Sequence, residues 1–136
     1  MTPSLPDLLI GQAAALTAPQ PVEAGGDYLA GRVGMLALLA AMMAQEAERG
    51  LAARVWENGA IGDLLAKAAP AYRLAPATDG GDLSWRALDQ RNADLRRLLI
   101  KLHELVEARG DADLDREILA LYRAMAHARR LDLPAS

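Results

Sequence analysis

The sequence predicts an all-α fold: an up-and-down bundle of about six helices, three of them long, around a buried central helix at residues 28–49. Three observations point that way. Ala and Leu supply 53 of the 136 residues while Val, Ile and Thr supply only 11, a balance that suits helices and starves strands. Apolar positions recur at helical spacing through most of the chain. Finally, the run Val33–Ala44 carries no charged or hydrogen-bonding side chain on any face. A helix that is apolar all round is a membrane span or the centre of a bundle. This run falls short of the ~18 residues a bilayer requires, so the bundle centre is expected.

The first helix starts at Ser4, with Pro6 in its first turn and Asp7 at the reciprocal capping position. Leu5, Leu8, Leu9, Gln12, Ala13 and Leu16 carry it to about Thr17. Pro19 and Pro21 then hold an extended connector, and Asp27 is placed to cap the central helix, which Gly50 closes. Two seams run along that helix. Ala30, Gly34, Ala37, Ala41 and Ala44 form a small-residue row that admits a close neighbour, so they are candidate interface residues as well as candidate core. Leu36, Leu39 and Met43, flanked by Met35 and Met42, form the bulky side.

A short helix is expected from Leu51 to Glu57, with Leu51, Val55 and Trp56 buried, and Asn58-Gly59 as its break. Ile61, Leu64, Leu65 and Ala68 mark another short helix, followed by a mobile loop over 70–83. Ser84 caps the next long helix, with Leu83 and Leu88 as a hydrophobic staple. Leu88, Leu95, Leu98, Leu99, Leu102, Leu105 and Val106 continue its stripe to a stop at Gly110. Asp111 or Asp113 caps the last helix, whose apolar face is Leu114, Ile118, Leu121, Tyr122 and Met125. Acidic residues crowd its start and Arg123, His127, Arg129 and Arg130 its end, as the helix dipole favours; Pro134 ends the fold.

The chain is read as one domain, 1–136. It has no cysteine, which removes disulfides, thiolate metal sites and cysteine nucleophiles and fits a cytoplasmic location. A net charge of −3 offers no basic field for nucleic acid. Only Lys67 and Lys101 among fifteen cationic residues are lysine, a bacterial-like bias of coding more than of function. LLIGQAAALTA near the start lacks a positive leader and includes Gln12, with Asp7 just before it, which argues against an export signal.

No catalytic set assembles: there is no G-x-S-x-G elbow, Walker A or G-x-G-x-x-G run, and serine occurs only at Ser4, Ser84 and Ser136. His103 and Glu107 share a face but need further ligands. Ile100 and Ala124, three residues before the two histidines, rule out Glu-x-x-His pairs, so His103 and His127 are read as surface residues and no metal or cofactor is expected. Arg32 is the one charge between Tyr28 and Gln45 and must reach water or a partner. Asn92 interrupts an apolar stripe, as residues that fix helix register do. Two readings stay open. One is a non-catalytic helical module that forms a homodimer or binds a protein partner. The other is a carrier or sensor holding an apolar or acyl small molecule, lined by Arg32, Met35, Met42, Met43, Trp85 and Asn92.

Overall fold

The computed structural model describes Pro3 and residues 5–17, 26–74 and 81–132. Among them there is no strand, and four helices follow in order: α1 Leu5–Thr17, α2 Gly26–Tyr72, α3 Trp85–Arg109 and α4 Ala112–Ala128. The count is four rather than about six because one helix replaces three. The central helix and the two short ones after it form the continuous α2, which passes through Gly50 and Asn58-Gly59 without a break. An internal glycine costs a helix only ~1 kcal/mol, which packing outweighs. The Asn58 amide instead reaches sideways to the Leu88 carbonyl at 3.1 Å. Pro70 lies inside the last turns of α2, and the helix ends at Tyr72, followed by Arg73 with a φ of 53°. The loop expected over 70–83 therefore starts later, and its centre at 75–80 lies outside the described residues. So do the Ser4 cap, the Pro19–Pro21 connector and Pro134.

The caps of α3 and α4 follow the sequence closely. Ser84 Oγ accepts from the Ala87 amide at 3.3 Å, and Gly110 closes α3 in the left-handed region at φ 68°, ψ 30°. Gly110 is followed at once by Asp111, whose Oδ1 accepts from the Leu114 amide at 3.2 Å and starts α4. Leu83, the outer member of the expected staple, stays 64% exposed.

The chain divides into two compact units: 1–50 together with 130–136, and 51–129. The second unit holds the main apolar core. Ile61, Leu65, Ala68 and Tyr72 of α2 meet Leu95, Leu99, Leu102 and Val106 of α3 and Ile118 and Met125 of α4. The α2 and α3 sets share the same i, i+4, i+7, i+11 spacing, so each helix turns one continuous stripe inward. At residues 51–57 the expected burial is reversed. Leu51, Val55 and Trp56 are exposed, and Arg54, Glu57 and Asn58 are buried.

The first unit contains α1, the N-terminal part of α2 and the segment after α4. There the Gln45 side chain pairs with the backbone of Asp132, donating through Nε2 to its carbonyl at 2.7 Å and accepting its amide at 2.8 Å. Arg49 adds a hydrogen bond to Gln45 Oε1 at 2.6 Å and an ion pair to Asp132 at 3.6 Å. The expected burial of the central helix is not met: from Gly31 to Ala44 no residue is buried.

Candidate interaction surface and buried charge network

The exposed stretch of α2 is uneven in a useful way. Leu36, Leu39, Met42 and Met43 are half-buried, so the bulky side is turned partly inward. The small-residue side is turned outward, with Gly34, Ala37 and Ala44 exposed and Ala41 half-buried; of Ala30 only the backbone is described. Val33 and Met35 add 58% and 56% exposed apolar side chains beside them. A methyl group built on Gly34 would meet nothing within 4 Å, so among the described residues no neighbour requires a glycine there. The surface is helical and uncharged over Val33–Ala44, and its small residues admit the close approach of a second helix.

Glu57 forms the second feature. Its carboxylate is fully buried, an arrangement that is stable only when every charge and lone pair is matched. Oε1 accepts from Asn92 Nδ2 at 3.0 Å and from Arg96 Nε at 2.8 Å, and Oε2 accepts from Arg129 Nε at 2.6 Å. Asn92 completes the ring, donating also to Asn58 Oδ1 at 2.8 Å and accepting from Arg129 at 3.0 Å. One carboxylate, two guanidinium groups and two amides thus tie α2, α3 and the end of α4 together. One turn earlier on α2, Arg54 donates to Asp89 at 2.5 Å and lies over the Trp85 ring at 4.3 Å.

These contacts place the residues singled out from sequence. Asn92 and Trp85 both lie on α3 in the second unit, Asn92 in the charge network and Trp85 against Arg54. Arg32, Met35, Met42 and Met43 belong to the first unit, where Arg32 donates to the Ala15 carbonyl of α1. None of Glu57, Asn58, Arg96 and Arg129 was expected as a site residue; Asn58 stood only as a helix break and Arg129 only as a helix-end cation. A signal for two of them exists: Arg54, Glu57 and Asn58 recur at i, i+3, i+4, a polar stripe as regular as the apolar one opposite.

A third constellation sits where α3 turns into α4. His103 Nε2 lies 2.9 Å from Asp115 Oδ1 and 3.8 Å from Glu107 Oε1. Asp115 is the third group that the His103–Glu107 pair lacked, and it comes from the first turn of α4. Close by, the Tyr72 hydroxyl donates to Asp111 Oδ2 at 2.8 Å. Burial and that hydrogen bond raise the Tyr72 pKa. The same bond, with the Leu114 amide and the Arg109 charge, lowers that of Asp111.

Comparison with protein-family models, curated proteins and solved structures returned no match. Among the described residues no helix is long and apolar enough to cross a membrane.

Proposed function

We propose that the protein is a non-catalytic helical module that self-associates, two copies meeting through the Val33–Ala44 stretch of α2. The observation that carries this reading is the outward-facing small-residue seam on an uncharged stretch of α2 that the described residues leave uncovered. Contiguous exposed apolar surface of this kind is unusual on a protein that works alone. A second copy suits it better than a charged or extended partner, because the surface offers neither charges to pair nor strand edges to extend. Two small-residue rows facing each other also let identical backbones approach closely on a two-fold axis. The charge network around Glu57 has a supporting part in this reading: it holds α2, α3 and α4 in one register.

The absence of native cysteine allows a clean test. Gly34→Cys, Ala37→Cys, Ala41→Cys and Ala44→Cys are made one at a time and oxidised, with exposed Ala66→Cys as the control. At least one seam variant, whichever lies nearest the two-fold axis, should form a disulfide-linked dimer in high yield while the control does not. Equal, low yields at all five positions would refute the interface.

A further inference from the structure

We propose that His103, Glu107 and Asp115 form a binding site for a divalent first-row transition ion such as Zn²⁺. The three side chains offer one imidazole nitrogen and two carboxylate oxygens, all within 4.8 Å of one another. Metal–ligand bonds of ~2.0–2.2 Å put neighbouring ligand atoms ~3–4 Å apart, and of the separations about His103 Nε2 the 2.9 Å one lies at the lower edge of that range and the 3.8 Å one within it. Two elements hold the set in place. His103 and Glu107 are one turn apart on α3, Asp115 is in the first turn of α4, and the tight turn through Gly110 fixes the two helices against each other. Tyr122 packs a tilted ring against the imidazole at 5.5 Å between centroids and limits its rotation.

The charges favour a cation as well. Both carboxylates converge on the same imidazole nitrogen, and a neutral imidazole can donate only one proton there. Two neighbouring cations are engaged elsewhere. Arg109 donates to the Ala71 carbonyl at 2.8 Å and lies over the Tyr72 ring, while Arg116 pairs with Asp113. Beside two of the three ligands, Glu107 and Asp115, is an open groove of about 310 Å³ that Asp111 also lines. It gives a three-ligand ion room for water in its remaining positions. A nitrogen ligand selects borderline ions over Mg²⁺ or Ca²⁺, which take oxygen almost exclusively.

The test is titration of the full-length, chelator-treated protein with Zn²⁺ by calorimetry at neutral pH, with Mg²⁺ in parallel. The site predicts saturable binding of one Zn²⁺ per chain and no comparable response to Mg²⁺. His103→Ala, Asp115→Asn and Glu107→Gln should each weaken Zn²⁺ binding by at least ~10-fold, the lower end of what even outer-shell changes do. His127→Ala and Glu104→Gln should leave it unchanged. Glu107 is 66% exposed, so Glu107→Gln tests the site without endangering the fold. No saturable Zn²⁺ binding would overturn the proposal, as would binding unaffected by Glu107→Gln, binding lost with His127→Ala, or an equal response to Mg²⁺.

Discussion

The Glu57 carboxylate of α2 and the Asn92 amide of α3 face each other at 3.0 Å, both buried. The bond is one side of a ring in which Asn92 uses both its Nδ2 protons and its carbonyl, and Glu57 accepts three bonds. Such a ring rewards one register of three helices, since a shift of one residue would leave several charges unmatched. Glu57→Ala leaves Arg129 without its closest partner and should cost about 3–5 kcal/mol, the usual penalty for breaking a buried pair. Chemical denaturation checks this. A double-mutant cycle with Arg129→Met should give a coupling of at least ~0.5 kcal/mol, and additive effects would show that the two side chains act independently.

On the opposite side of the same turns, Leu51, Val55 and Trp56 are 43–45% exposed. Single changes to glutamine at these positions should alter unfolding free energy by no more than ~0.5 kcal/mol. A loss of ~2 kcal/mol or more at any of them, as for a core deletion, would mean that the apolar side is the buried one.

That pair of faces shows where the sequence was legible. In the core, apolar spacing alone identified Ile61, Leu65, Leu95, Leu99, Leu102, Val106, Ile118 and Met125, because those helices have one apolar side and one polar side. The start of α3 was legible from Ser84, and its turn into α4 from Gly110 and the Asp111/Asp113 pair, of which Asp111 is the cap, because few other residues fill these capping roles. Residues 51–58 misled because both faces are periodic, and hydrophobicity favoured the wrong one. The burial of Glu57 depends on Arg96 and Arg129, 39 and 72 residues away, and no local pattern announces such partners. The continuity of α2 was hidden for a related reason: Asn58-Gly59 reads as a break until Asn58 is given Leu88 and Asn92 to bond. Asn92 itself was conspicuous as a polar residue in an apolar stripe, although its partners were not.

Glycine substitutions separate backbone need from available space. Gly110 sits at φ 68°, where a side chain is strained, so Gly110→Ala should destabilise the protein by ~1–2 kcal/mol. Gly59 is in mid-helix with nothing within 4 Å of an added methyl, so Gly59→Ala should stabilise by ~0.5–1 kcal/mol. Thermal or urea unfolding of both variants checks the opposite signs. A stabilised Gly110→Ala would contradict the left-handed cap.

Tyr72 and Asp111 make stability depend on pH at both ends of the range. Asp111 is held below the ordinary aspartate value of ~3.9, so its contribution is present above that value and is lost as pH falls through the depressed folded-state pKa. Tyr72 is held above the ordinary ~10, so its contribution is present below that value and is lost as pH rises through the raised one. The stability gap between the parent protein and Tyr72→Phe should therefore be level at neutral pH and narrow at each extreme. A gap that stays constant from pH 3 to pH 7 would show that Asp111 gains nothing from the Tyr72 hydroxyl.

Self-association through α2 is tested most directly by molar mass, from size-exclusion chromatography with light scattering over a wide concentration range. The expected value is twice the 14.5 kDa chain mass, reverting toward the single-chain mass when Ala37→Trp places a bulky ring in the small-residue seam. A mass of 14.5 kDa at every concentration would contradict it and leave the exposed stretch of α2 without its proposed partner.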